Sequence, residues 1–228
     1  MPSPSEGKLR INYPDDSVWD ITLGGEDYDR ACGVEALHDG YLIAGTSSSF
    51  GLENCIYIAG IDRHGGLLWN RTYEAGWYGC YATDIARAED GFIIAGVASG
   101  NVHLLRIDDQ ADLVWNTTYP STRQDVAEDV LPCDDGGFLV TGESQGDVYV
   151  LKVDAGRNKV WDNRFGTTHM DHGYSAAQDG KGGFVVVGET LVSSDGLHYE
   201  MFLISGARSS RRDLLEQDRE EGIRLPWL

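Results

Sequence analysis

Tryptophans at a nearly constant spacing constrain the fold of this chain more than any other feature. They are separated by 50, 46 and 46 residues and stand at Trp19, Trp69, Trp115 and Trp161. A second marker keeps the same period: the aromatic residue that opens a glycine-bounded apolar run recurs at Tyr41, Phe92, Phe138 and Phe184. Such a period indicates a repeat protein in which each repeat is one small structural unit that needs its neighbours to bury its apolar surface.

Each repeat contains four strand-like runs, A to D, bounded by Gly, Asp, Asn and Ser. In the second repeat these predicted strands are Ala82–Ala86, Phe92–Val97, Val102–Ile107 and Leu113–Tyr119. Strand B is almost entirely apolar, which predicts burial on both faces. Strand D carries one tryptophan among polar residues and is predicted to lie at a sheet edge. We therefore predict an all-β fold, a β-propeller of four four-stranded blades; a solenoid or a stacked sandwich is the alternative.

The fourth repeat lacks its own strand D. Its strand C is predicted at Met201–Ser205, but no tryptophan follows seven residues later. The N-terminal run around Trp19 is, in turn, a strand D without a preceding strand A or B. We predict that the Trp19 strand completes the fourth blade and closes a four-bladed ring.

The chain divides into three parts by this pattern: an N-terminal extension (1–8), the propeller repeats (9–205) and a charged C-terminal tail (206–228). In the tail, Ser210 can cap a short helix that ends at Gly222. Alternatively, Trp227 is a displaced strand-D tryptophan. The loops between strands B and C are five residues longer in repeats one and four, at 47–53 and 192–198. Loops that vary on a constant scaffold commonly carry binding sites.

Charge excludes some classes of partner. The chain has 18 basic and 37 acidic residues, a net charge of −19, so its surface repels nucleic acid and anionic lipid. No run is apolar and long enough to be a membrane span. The start, residues 1–8, does not resemble a signal peptide, which predicts a cytoplasmic protein if Met1 is the true start. The four cysteines, Cys32, Cys55, Cys80 and Cys133, fit two disulfides or four free thiols.

Three segments carry a family resemblance: DGGFLVTGES (135–144), DVYVLKVDAGRNKVW (147–161) and GTSSSFGLENCIYIAGIDRHGGLLW (45–69). They resemble a large family of archaeal and bacterial repeat proteins, abundant in methanogens and mostly uncharacterised β-propellers. They are also similar to the tryptophan-docking blades of pyrroloquinoline quinone-like and WD-repeat propellers. The resemblance covers about residues 9–205. It implies a propeller fold and an extracellular or cell-surface location, without a defined activity.

Candidate site residues open the A strands. In a propeller these strands line the central channel, so Asp29, Asp125, Asp171 and the adjacent His172 could ring its mouth and collect cations. The competing interpretation, which we favour, is that each aspartate accepts hydrogen bonds from backbone N–H groups of its own turn. The same interpretation applies to a second series of acids seven residues before the tryptophans, Asp62, Asp108 and Asp154.

No motif for a cofactor is found. His169 and His172 have an H-x-x-H spacing, but zinc would need at least a third ligand. The serine-rich loops lack a nucleophile motif, and no phosphate-binding glycine motif occurs. We therefore expect no metal or cofactor, and we assign Trp19, Trp69, Trp115 and Trp161 to structural positions.

The expected function is a non-enzymatic binding or scaffold module that presents its loops to a protein or glycan partner. A first alternative is a hydrolase or lyase with its site at the channel mouth, around Asp29, Asp125, Asp171 and His172. A second is a homodimer in which each chain forms half of an eight-bladed ring.

Overall fold

The structure, a computed structural model, describes residues 18–51, 54–75, 79–180, 183–192 and 198–206. Within these ranges the chain is all-β, with fifteen strands in four antiparallel sheets. The same ranges contain no helix that could cross a membrane.

The sheets follow one another along the chain. Sheet one contains β1 (Asp29–Leu37), β2 (Gly40–Ser47), β3 (Cys55–Asp62) and β4 (Leu67–Tyr73). Sheet two contains β5 (Cys80–Ala88), β6 (Gly91–Ala98), β7 (Asn101–Ile107) and β8 (Leu113–Thr118). Sheet three contains β9 (Asp125–Pro132), β10 (Phe138–Ser144), β11 (Asp147–Val153) and β12 (Lys159–Phe165). Sheet four contains β13 (Asp171–Gln178), β14 (Phe184–Leu191) and β15 (Tyr199–Gly206).

The strand predictions are confirmed in the repeats. Spatial order follows chain order in every sheet, so each sheet is a simple meander. The predicted B strand of repeat two, Phe92–Val97, lies within β6, and all eight residues of β6 are buried. The tryptophan-bearing strands β4, β8 and β12 lie at sheet edges. Apolar composition and turn residues are local signals, and here they agree with the tertiary structure.

Three apolar layers hold the four sheets together, each between one sheet and the next. They are centred on Ile58 and Phe92, on Leu104 and Phe138, and on Val150 and Phe184. The first strands of the sheets contact one another in the order β1, β5, β9 and β13. The edge-strand tryptophans Trp115 and Trp161 pack on the aromatic residue of the next repeat. Trp115 lies 6.0 Å from Phe138, and Trp161 lies 5.6 Å from Phe184, between ring centroids.

A bulge in every first strand explains a glycine in every second strand. The pairing between first and second strand shifts once per sheet, at Ala31/Gly33, Ala82/Asp84, Thr141/Gly142 and Gly173/Ser175. Beside each shift stands a glycine: Gly45, Gly96, Gly142 or Gly188. A Cβ at any of these positions would overlap a carbonyl oxygen of the adjacent strand. The repeated glycine therefore permits the close approach that the bulge creates.

The predicted closure by the Trp19 strand is not seen. Sheet four has three strands among the described residues, and residues 18–25 form no strand. Trp19 instead lies on sheet one, where its Nε1 donates a 2.9 Å hydrogen bond to the Arg63 carbonyl and its ring lies 6.1 Å from Tyr41. Docking on the aromatic residue of the following repeat satisfies Trp19 without pairing to β15.

The register of sheet four corrects one further prediction. Phe184 pairs with Gly206, whereas Phe138 pairs with Val153. The position equivalent to Val153 is therefore Gly206, two residues later than the repeat spacing predicted. Residues 1–17 and 207–228, including the predicted C-terminal helix and Trp227, lie outside the described residues.

Candidate functional site

Asp29 and Asp171 stand at the start of their first strands and bond their own turns. Asp29 accepts hydrogen bonds from the Gly25 N–H at 2.8 Å and from the hydroxyls of Ser47 and Ser49. These bonds, that of Ser47 first, lower the pKa of Asp29. Asp171 is fully buried and accepts from the Thr167 N–H at 2.6 Å. In both cases the donor lies four residues earlier, as the turn interpretation predicts.

Asp125 is fully buried and belongs to an ion pair within sheet three. Both of its carboxylate oxygens accept from Arg164 Nη2, at 3.2 and 3.3 Å. The Arg164 Nε donates to Ser144 Oγ at 2.7 Å, and the guanidinium lies 4.8 Å from the Tyr149 ring centroid. Asp125 therefore stabilises sheet three through its buried ion pair with Arg164.

The second series of acids closes turns between the third and fourth strands. Asp62 accepts from the N–H groups of His64 at 2.7 Å and Gly66 at 2.8 Å. Asp108 and Asp154 each accept from the N–H four residues later, at 2.8 Å. These bonds lower the pKa of Asp62 and Asp154, with the residue at the fourth position the largest cause. The turn interpretation of this series is confirmed.

His172 lies close to residues of two sheets: Glu143, Tyr174 and Glu189. Its ring stacks on Tyr174, with centroids 6.3 Å apart and an interplanar angle of 7°. Its Nδ1 lies 3.8 Å from Glu143 Oε2. The Tyr174 hydroxyl donates a 2.7 Å hydrogen bond to Glu189, and this bond to a carboxylate raises the pKa of Tyr174 to about 12. We name Glu143, His172, Tyr174 and Glu189 the His172 cluster.

The His172 cluster lies where sheets three and four meet, at the end of the molecule where the first strands begin. His172 and Tyr174 lie on β13, Glu189 on β14, and Glu143 on β10. His172 pairs with Glu189 across the sheet. Only part of this grouping could be found in the sequence: a Gly-Glu dipeptide recurs at the same repeat position, at Gly142–Glu143 and Gly188–Glu189. Tyr174 is the unpaired residue at the bulge in β13.

Partly exposed rings beside carboxylates suit binding better than covalent chemistry. The rings offer flat apolar faces, and Glu143 and Glu189 accept hydrogen bonds from hydroxyl or N–H groups. His169, the other member of the H-x-x-H spacing, contacts Thr168 through Nδ1 at 3.3 Å. Over the described ranges, no three His, Cys, Asp or Glu side chains are grouped as metal ligands.

The cysteines are free thiols, of which Cys55 and Cys80 are buried and Cys32 and Cys133 are partly buried. All four lie in the described part of the chain and none forms a disulfide. Burial raises the pKa of every one of them, that of Cys32 to about 12. Since the thiolate is the nucleophilic form, none is activated for catalysis.

Two aspartates form hydrogen bonds between the first strands of neighbouring sheets. Asp84 accepts a 3.0 Å hydrogen bond from the Val130 N–H in the next sheet, and Asp129 accepts one of 2.8 Å from the Ala176 N–H. Burial is the main cause that raises the pKa of Asp84 to about 6, and the negative charge of Asp129 adds to it. The joint between sheets two and three thus contains a carboxyl group that takes up a proton at a higher pH than an ordinary aspartate does.

The raised pKa of Asp84 predicts a pH-dependent variant effect. Folding favours protonated Asp84, so its stabilisation is present below the ordinary value of 3.8 and is lost as the pH rises through about 6. Asp84→Asn keeps an acceptor for Val130 and removes the charge. We expect thermal unfolding to show a higher melting temperature than wild type at about pH 7.5, with the difference vanishing near pH 4.

The matched control is Asp134→Asn, at an exposed turn position. Its melting temperature relative to wild type should not change with pH in this way. A lower melting temperature for Asp84→Asn at both pH values would contradict the assignment.

The chain was compared with protein-family models and with curated proteins. No family model and no curated protein matches it.

Proposed function

We propose that the chain is a non-enzymatic β-propeller module, of the archaeal and bacterial repeat family that its sequence resembles. Its rigid sheets present the His172 cluster and the neighbouring loops to a protein or glycan partner. The observation that carries the proposal is the partly exposed, parallel stack of His172 on Tyr174, placed between two carboxylates.

Several contacts support blades of a propeller over a stacked sandwich. Every sheet is a meander whose first strand contacts the first strand of the next sheet. Trp115 and Trp161 dock one repeat forward, on Phe138 and Phe184, and Trp19 does the same on Tyr41. Among the described residues, sheet four has no fourth, edge strand, and the Trp19 segment, residues 18–23, would supply one. Pairing of the Trp19 segment with β15 of the same chain would close a four-bladed ring.

The environment of the aspartates favours binding over a hydrolase or lyase. Asp125 and Asp171 are fully buried; Asp125 accepts hydrogen bonds from Arg164 of its own sheet, and Asp171 accepts one from Thr167 of the turn before β13. Neither faces a space in which a substrate could accept or donate a proton. The rings and glutamates of the His172 cluster are among the residues that reach solvent at this end.

A binding screen tests the proposal. Wild-type protein is applied to glycan and peptide arrays, and the affinity for each retained ligand is compared with that of Tyr174→Ala. We expect at least about tenfold weaker binding, because truncating an aromatic anchor at a binding site commonly removes more than one kcal/mol.

The control is Val114→Ser, which changes an exposed apolar residue of β8 outside the His172 cluster. It should bind like wild type. Equal affinity of Tyr174→Ala and wild type would reject the site. Substrate turnover that Asp171→Asn abolishes would favour the hydrolase or lyase alternative.

A further inference from the structure

Sheet four exposes an apolar face whose counterparts in the other three sheets are buried. On it, Val187, Met201 and Leu203 leave 43%, 89% and 64% of their surfaces accessible. We name these three residues the open face. Single exposed apolar side chains are ordinary, whereas neighbouring ones that form a patch commonly mark an interaction surface.

Strand pairing identifies which residues of the other sheets correspond to the open face. Leu203 pairs with Val187, and its counterparts, paired in the same way, are Ile58, Leu104 and Val150. Met201 corresponds to Ile56, Val102 and Val148. All six counterparts have 0% exposure, because each is covered by the following sheet. The open face therefore repeats a surface that three internal joints bury.

Sheet one carries the complementary surface. Ile43 and Ile61 of sheet one correspond by strand pairing to residues that pack against a preceding sheet in sheets two and three. Here no sheet precedes them, and the segment 18–23 lies over them instead. A cavity of about 250 Å³ remains between this segment and sheet one. At the internal joints the corresponding space is filled by side chains equivalent to Leu203 and Met201.

One chain does not bring these two surfaces together. Among the described residues, β13 and β1 do not form the packed contact that joins β1 to β5, β5 to β9 and β9 to β13. The four sheets therefore form an open series, with a projecting apolar face at one end and an underfilled apolar face at the other.

We infer that the open face binds sheet one of a second copy of this chain. The Trp19 segment of each copy then becomes the fourth strand of the other copy's sheet four. Two such joints related by a twofold axis close a ring of eight sheets. This inference rests on the proposed propeller arrangement and specifies which chain completes the last blade.

The mass of the full chain in solution, from light scattering during size-exclusion chromatography, tests the inference. We expect twice the chain mass of 25.0 kDa. Leu203→Asp should weaken dimerisation at least about 100-fold, because an unpaired carboxylate would be buried at the joint. Its far-UV circular dichroism should match wild type, since Leu203 is exposed in the single chain. Val114→Asp, at an exposed apolar residue outside the open face, should remain dimeric.

Hydrogen exchange of the outward-pointing amides of β15 separates the remaining outcomes. Protection in the dimer and loss of protection in Leu203→Asp support closure between copies. A wild-type monomer with protected amides overturns the inference but leaves a ring closed within one chain. A monomer whose β15 amides exchange freely overturns both the inference and the proposed closure. A head-to-tail polymer overturns the two-copy ring.

Discussion

Gly142→Ala should lower the free energy of unfolding by about 3 kcal/mol or more. The added Cβ would overlap the carbonyl oxygen of Val126, which the bulge in β9 brings close to β10. Both groups are backbone atoms inside a paired sheet, so relief requires the two strands to separate and lose hydrogen bonds. Equilibrium unfolding in urea, followed by tryptophan fluorescence, measures the change.

Gly156→Ala is the matched control in the same sheet. Its nearest neighbours would be side-chain atoms of Asn158 and Asp154, at 3.1 and 3.2 Å, in an exposed turn. Those side chains can move, so the expected change is within about 0.5 kcal/mol. Equal stabilities of the two variants would show that the bulge does not require glycine.

Leu104→Ala should cost about 3 kcal/mol in the free energy of unfolding. Leu104 is fully buried in the layer between sheets two and three, beside Ala127 and Val140. Truncation removes apolar contacts and leaves a cavity that two sheets held by their own hydrogen bonds can close only in part. The same urea titration provides the measurement.

Leu113→Ala is the comparison for this variant, because Leu113 is half exposed at the start of β8. Its truncation should cost less than about 1 kcal/mol, as expected of a side chain that water already reaches. A similar loss for both leucines would mean that the layer between sheets two and three does not carry the stability of the fold.

The repeats could be predicted because their signals are local. The predicted strand Phe92–Val97 lies within β6 (Gly91–Ala98), and its apolar composition matches its burial. The turn at Asp62 was likewise predictable, since one carboxylate and the N–H groups just after it suffice to form it. In such segments the tertiary structure adds nothing that contradicts the local preference.

The remaining features depend on contacts between distant segments. Residue spacing placed the end of the last strand at Ser205, but pairing with Phe184 carries it to Gly206. A docking tryptophan predicted a strand at Trp19, yet a ring can dock on Tyr41 without its backbone joining a sheet. The His172 cluster combines three strands from two sheets, and the aspartates that drew attention in the sequence are fixed within their own sheets.

Because Trp115 and Trp161 pack on the following repeat, the segment that folds together does not coincide with the segment that repeats in the sequence. Trp115 belongs to sheet two by its hydrogen bonds but packs on Phe138 of sheet three. A fragment cut between these sheets would keep every backbone pair of sheet two and still lose the aromatic surface that covers its last strand. Truncated or permuted forms of this chain should therefore be divided inside a sheet, between its third and fourth strands, so that each tryptophan stays with the repeat that receives it.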